Sequence, residues 1–429
     1  MKVPCRPGKG GAAVDNTNKK SRRAPGRAML LAVMAFFFLG FFLLALKDGK
    51  WESFGLSVAV PALIFIGTAG ISRLFPSDRL LLSLTNFLCA LGVLVLYRLS
   101  PQRGMAQALN YGVGVGGMIV CTFIVRYISK WKWPVALMML GSLGLLALPL
   151  LIGRETNGAK NWFYVGGYSV QPSEVVKLAL LLSVSYLLSQ RRVLLSILFA
   201  GACLCMLMLQ KDLGTALLYY GVALILVYAA TSSLPLLLGG VLGGAGAAFA
   251  GYRMFAHVRR RVSIWINPWA DTDGSGYQIV QSLIAIVNGS FWGVGLGLGN
   301  AAVIPEYYND FIFSVILHEF GVLFGLIVVC MYLFIIIRGV MIARRSRTVF
   351  HALLALGCTA LIALQTFVII GGNIKLIPLT GVTLPFISYG GTSMVSSLCV
   401  IGLLQGVASR NEAGVHEDRA LAMRGGDIG

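Results

Sequence analysis

The chain has 429 residues, 57% of them hydrophobic and only 12% charged, with a mean hydropathy of +0.81. Soluble domains are about a quarter charged, so composition excludes a soluble globular protein and points to one embedded in a membrane. The formal charge of +19 then belongs to loops beside anionic lipid and to the orientation bias of lysine and arginine. No aromatic-interleaved basic domain is present, so the charge does not indicate nucleic acid.

Residues 1–27 are polar, basic and Gly/Pro-containing, which predicts a disordered cytoplasmic tail. The apolar run after "SRRAPGR" is predicted to be a retained anchor, because the preceding basic region is long and no A-x-A-like cleavage site follows. Apolar runs of helical length, about 17–25 residues, continue along the chain; barrel strands would be about 10 residues. The predicted fold is an all-α polytopic bundle of twelve spans: about 28–46, 54–72, 80–97, 109–128, 134–152, 174–190, 193–209, 213–230, 234–252, 311–337, 349–370 and 391–407. The first two, 28–72, precede a core of 73–408, and 409–429 forms a second cytoplasmic tail. With the amino terminus inside, most Lys and Arg fall on inner segments and both termini are cytoplasmic. The loop 253–310 breaks this bias, since it would lie outside with Arg253, Arg259, Arg260 and Arg261. Either a span is miscounted or an anion site faces outward. The eight cysteines lie mostly inside apolar runs without C-x-x-C, as small core residues do, and the four histidines form no H-E-x-x-H. "GVGLGLGN" (293–300) has no βαβ unit around it to make a dinucleotide site.

The stretch "EYYNDFIFSVILHEFG" (306–321) places Asp310 at the start of an apolar helix and His318–Glu319 inside it. Charge at such depth is costly and marks function. Asp310 suits a helix N-cap as well as a catalytic group. At about 1.5 Å and 100° per residue, Glu319 points away from Asp310 on a straight helix. A catalytic pair of these two carboxylates is therefore not expected. Glu319 is expected to line the bundle interior.

Five segments in order resemble one family: "GAKNWFYVGGYSVQPSEVVKLALLL" (158–182), "QKDLGTAL" (210–217), "RRVSIWINPWADTDGSGYQIVQSLIAIVNGSFWGVGLGLG" (260–299), "NDFIFSVILHEFG" and "LIPLTGVTLPFISYGGTS" (376–393). They are similar to the motifs of SEDS proteins (shape, elongation, division and sporulation), the FtsW/RodA/SpoVE type. The resemblance implies a multi-pass peptidoglycan glycosyltransferase of the bacterial cytoplasmic membrane. Such an enzyme polymerises lipid II into a growing glycan strand at the outer face, releases undecaprenyl pyrophosphate and works with a class B penicillin-binding protein. The family has ten spans, so 28–72 would add two. Four positions depart from its pattern: Asn161, Lys211, His318 and Lys375.

The implied reaction needs a base for the acceptor hydroxyl and cations for the leaving pyrophosphate. The resemblance assigns Asp310 as base, with Arg260 and Arg261 at the pyrophosphate; Arg259 stays unassigned. Trp162 is a membrane-interface anchor or a cavity residue. Glu174 and Lys177 form an i,i+3 pair that either stabilises its helix or lines the site. Asp212 is a helix cap or a substrate contact. Gln278 and Gln281 offer amides to sugar or pack the loop. Glu319 and Ser388 complete the candidate substrate-binding set, Ser388 from the broken backbone of "PFISYGGTS". A divalent cation, magnesium or manganese, suits the pyrophosphate chemistry, although the sequence shows no ligand cluster for it. Two other roles use the same motifs: a lipid II transporter, and a non-catalytic scaffold of the cell-wall synthesis complex.

Overall fold

The computed structural model describes residues 24–128, 132–156, 159–165, 168–272, 274, 276–300 and 303–425. Most of the basic tail expected over 1–27, and the last four residues of the chain, lie outside the described residues. The chain divides into two units, Met1–Ile66 and Gly67–Gly429.

The first unit holds α1 (Ala24–Asp48) and α2 (Trp51–Phe65). Phe42 of α1 meets Phe54 of α2 edge to face, with ring centroids 6.0 Å apart, a favourable aromatic geometry.

The second unit begins its long helices with α3 (Arg79–Leu99), α4 (Pro101–Tyr127) and α5 (Lys132–Ile152). A small antiparallel sheet follows: β1 (Arg154–Thr156), β2 (Ala159–Val165) and β3 (Tyr168–Val170), in the order β1-β2-β3. Next come α6 (Pro172–Ser189), α7 (Val193–Leu209), α8 (Leu213–Thr231) and α9 (Leu234–Met254). Two shorter helices, α10 (Ala256–Ile266) and α11 (Tyr277–Gly289), precede α12 (Ile312–Arg344), α13 (Val349–Asn373) and α14 (Gly391–Gly425). Among the described residues, eleven helical segments are long and apolar enough to cross a membrane, α2 counting together with the π-helical turn (Ile66–Gly70) and helical turn (Ile71–Leu74) that continue it, and α7 is a further apolar helix of 17 residues. Each of the twelve predicted spans coincides with a helix.

Local chemistry explains many boundaries. Proline opens α4, α6 and α9, where its missing N–H costs nothing. Asp78, Asp212 and Thr348 accept backbone N–H groups at the starts of α3, α8 and α13. Helices α4 and α14 approach closely through small residues: a Cβ at Gly402 would lie 2.9 Å from Met118 Cα. Close approach through small residues is how helices pack where lipid offers no hydrophobic drive.

Residues 154–156, 159–165 and 168–170 form strands, with β2 bonded to both neighbours. Helix α14 continues to Gly425, into the segment expected as the second tail. One expectation needs correction. The segment read as one helix from 311 is broken at Gly321, whose φ of +83° is reachable at low cost by glycine. The break frees carbonyls and N–H groups, and the chain after α11 bonds to them. Val294 and Gly295 donate to the carbonyls of His318 and Glu319, while Val322 donates to the Ser290 carbonyl. Irregular backbone at membrane depth is stable when protein supplies such partners.

Candidate active site

Asp310 stands just ahead of α12. It is not the cap of that helix: Phe311 holds the cap position and no side chain bonds there. The main chain around Asp310 is held from two sides. Asn373, at the end of α13, donates from Nδ2 to the Asp310 carbonyl at 2.6 Å. Ser314 Oγ donates to Asn373 Oδ1 at 3.0 Å, and Ser282 Oγ of α11 lies 2.6 Å from Ser314 Oγ. On the other side, Tyr389 N–H donates to the Tyr308 carbonyl and Ser388 Oγ donates to the Asn309 carbonyl, at 2.8 and 2.7 Å. Arg103 adds a cation–π contact, its Cζ 3.6 Å from the Tyr308 ring centroid. None of these bonds uses the Asp310 carboxylate.

The carboxylate faces an arginine across a glycine. Arg261 of α10 donates from Nη1 to the Thr380 carbonyl at 2.9 Å. A Cβ at Gly381 would lie 3.5 Å from Arg261 Nη2 and 3.8 Å from Asp310 Oδ2. Gly381 has φ +77°, so its bare backbone lets both charged groups approach one spot. Burial pushes the Asp310 carboxyl up from 3.8 to about 7; Arg261 opposes that shift and Glu306 adds to it. Nearby, burial lowers the His257 pKa, with Arg261 and Lys211 adding to the effect. Arg261 and a carboxyl poised near neutrality therefore approach one spot at Gly381.

The other predicted residues separate. Arg259 and Arg260 are exposed on α10. Trp162 is half-buried on β2. Its strand is fastened by Asp212, which caps α8 through Oδ1 and accepts from Asn161 and Gln171 through Oδ2, at 3.0 and 3.1 Å. The capping role is thus realised, and the same carboxylate anchors the tryptophan loop. Glu174 and Lys177 are buried in a 2.5 Å ion pair, and Ser396 of α14 donates to Glu174. Gln278 and Gln281 are half-buried on α11, whereas Ser282 of that helix joins the network beneath Asp310.

Two candidate substrate contacts are committed elsewhere. Ser388 is 3% exposed, and its hydroxyl both donates to Asn309 and accepts from Leu384 N–H at 2.8 Å. It holds backbone, because the turn at 384–388 folds over it. Glu319 pairs with Arg98 of α3 at 3.1 Å and accepts from Gly297 N–H at 3.4 Å. His318 Nδ1 lies 2.9 Å from the Ala285 carbonyl. Both side chains stitch the chain around 285–299 to α12, away from Asp310.

Asn373, Ser282, Ser314 and Gly381 were not singled out from the sequence. Asn373 was the most visible of them, an amide closing an apolar helix in "VIIGGN". Among the described residues no three His, Cys, Asp or Glu side chains gather where they could hold a metal ion.

Comparison with known proteins gives the family. The family model described as cell cycle protein, FTSW_RODA_SPOVE, matches residues 78–413. Peptidoglycan glycosyltransferase RodA of Mycobacterium tuberculosis is 33% identical over 392 residues, covering 82% of this chain and 83% of that protein. Stage V sporulation protein E of Bacillus subtilis is 31% identical over 359 residues, covering 77% and 96%. A chain in a solved structure, described as structural coordination of polymerization and crosslinking by a peptidoglycan synthase complex, superposes with a TM-score of 0.67 at 27% identity, covering 78% of this chain and 98% of that one. The chain thus shares an all-α membrane fold with these proteins and belongs to the FtsW/RodA/SpoVE family.

Proposed function

We propose that this protein is a peptidoglycan glycosyltransferase that polymerises lipid II at the outer face of the cytoplasmic membrane, with both termini inside. The observation that carries the reading is the meeting of Asp310 and Arg261 over Gly381, with the Asp310 carboxyl raised to about 7. A base works best with a pKa near the operating pH.

In the reaction, the acceptor sugar's 4-hydroxyl bonds to the donor's anomeric carbon while Asp310 takes the hydroxyl proton. The bond from that carbon to the pyrophosphate oxygen breaks, and undecaprenyl pyrophosphate leaves. Arg261, already held by the Thr380 carbonyl, and exposed Arg260 stabilise its growing charge. Trp162, anchored through Asp212, borders the substrate. The family resemblance and the names of the relatives support this reading, and the synthase-complex neighbour supports a class B penicillin-binding protein as partner.

The test is polymerisation of lipid II by purified protein, alone and with a class B partner, comparing wild type with Asp310→Ala. Loss of product by a folded variant supports the reading. Undiminished product removes Asp310 as base. A variant that no longer polymerises yet still moves lipid II across reconstituted vesicles would assign transport to the chain as well.

A further inference from the structure

The end of the bundle opposite Asp310 holds a second charged feature that the proposed chemistry does not use. Helix α12 starts beside Asp310, and beyond its break at Gly321 it runs on to Arg344, about 35 Å at 1.5 Å per residue. Beyond its end lies a cavity of about 420 Å³, lined by Arg126, Tyr127, Arg347, Thr348, His351 and Arg410 among others. The three guanidinium groups come from α4, the α12–α13 connection and α14, and among the described residues no carboxylate lines the cavity.

Two of these cations are anchored where they line this cavity. Arg126 donates to Ser409 Oγ, and Arg410 donates to the Arg126 and Ile128 carbonyls at 3.4 and 3.5 Å. Like charges held together in a partly buried hollow repel unless an anion joins them.

His351 points to the same ligand independently. It is 6% exposed, and its Nε2 is buried with no hydrogen-bond partner. Thr348 Oγ1 accepts the His351 backbone N–H at 3.3 Å and also meets His351 Nδ1. A hydroxyl has one proton and two lone pairs, so Thr348 Oγ1 pairs with Nδ1 in either sense; where it donates to Nδ1, the neutral ring carries its proton on Nε2. A buried donor without a partner is costly, and an oxygen acceptor in the cavity relieves it. Helix α13 also starts here, at Val349, and adds the positive end of its dipole.

The rim is apolar and exposed. Tyr127 is 55% exposed, Phe123 54% and Val349 60%, with the Phe123 and Tyr127 ring centroids 4.6 Å apart. A cationic hollow beside an exposed apolar edge suits a phosphate carrying acyl chains better than a free anion.

We propose that this cavity binds the phosphate of an anionic membrane phospholipid, of the phosphatidylglycerol or cardiolipin class, at the end of the bundle opposite Asp310.

The test uses the full chain in neutral detergent, titrated in native mass spectrometry with phosphatidylglycerol, phosphatidylcholine or inorganic phosphate. Phosphatidylglycerol is expected to stay bound and to raise the thermal midpoint, and the other two to do neither. Arg347→Gln is expected to weaken phosphatidylglycerol binding about fivefold. Gly414→Val supplies a second variant that keeps every charge: its Cβ would lie 2.5 Å from Arg347 Cζ, displacing the guanidinium with a comparable loss. Equal retention of phosphatidylcholine, or wild-type affinity in both folded variants, overturns the proposal. Inorganic phosphate binding as tightly as the lipid overturns the lipid assignment. A photoreactive phosphatidylglycerol on the wild-type chain locates the site without any variant. Labelling of the Phe123–Tyr127 peptide supports the proposal, and labelling only elsewhere rejects it.

Discussion

Asp310 and Glu319 lie nine residues apart in one stretch of chain, and the protein treats them in opposite ways. Glu319 is 1% exposed and neutralised by Arg98, with backbone from the 293–300 loop against it. Asp310 has its main chain fastened at several points, and its buried carboxylate approaches Arg261 at Gly381. A buried carboxylate paired on all sides is architecture. One held by its backbone and left open toward a cation is poised for chemistry. The difference lies in which atoms the surrounding fold has already used.

Substitutions at the two positions should therefore separate activity from stability. Asp310→Asn keeps the backbone bonds and removes the base. Lipid II polymerisation should fall by about 10²–10⁴-fold in a protein that remains folded by thermal unfolding. The same variant tests the raised pKa. A carboxyl at 3.8 unfolded and about 7 folded contributes stability that is full below the lower value and lost as pH rises through the upper one. The thermal midpoint of wild type should thus drop relative to Asp310→Asn as pH rises from about 4 to 8. A constant difference would mean that the carboxyl is not perturbed.

Glu319→Gln should do the reverse. It leaves Arg98 facing a neutral amide inside the bundle, and breaking such a pair costs about 3–5 kcal/mol. The expected readout is a lower unfolding midpoint, with activity per folded molecule near wild type. Loss of turnover in a fully folded Glu319→Gln protein would erase the contrast between the two carboxylates.

Ser388→Ala tests the scaffold behind Asp310. It removes one donor to the Asn309 carbonyl and leaves Leu384 N–H without its acceptor, at about 1–3 kcal/mol. Unfolding should register that cost; an effect confined to substrate KM would restore Ser388 as a substrate contact.

The smallest effects are shifts in pH dependence. Arg261 holds the Asp310 pKa down and Glu306 holds it up. Arg261→Gln should move the acidic limb of the polymerisation profile upward by about one unit, and Glu306→Gln should move it downward. The two shifts together identify the limb as Asp310; identical profiles for both variants would assign it to another group.

Much of this was legible without a structure because membranes impose strong local rules. The twelve helices follow from apolar length, and the motif order gave the family and drew attention to Asp310, Arg260 and Arg261. Asp212 was readable both as a cap and as part of a motif, and its two oxygens serve the cap and the Trp162 loop. Glu319 lines the bundle interior as expected, bonded to another helix, whereas Ser388 was harder to read: a polar residue in an apolar setting signals a partner, and sequence cannot say whether that partner is substrate or protein.

The sequence by itself determined the helices, their approximate limits and the residue types at the rim, since hydropathy, proline and capping act over a few neighbouring positions. Only the tertiary structure decided that Arg261 bonds to Thr380, 119 residues away, that Gly381 leaves room for two charges, and that α12 breaks to receive the loop after α11. Those outcomes depend on which distant groups the packed bundle brings within hydrogen-bond reach, and no local rule encodes that distance.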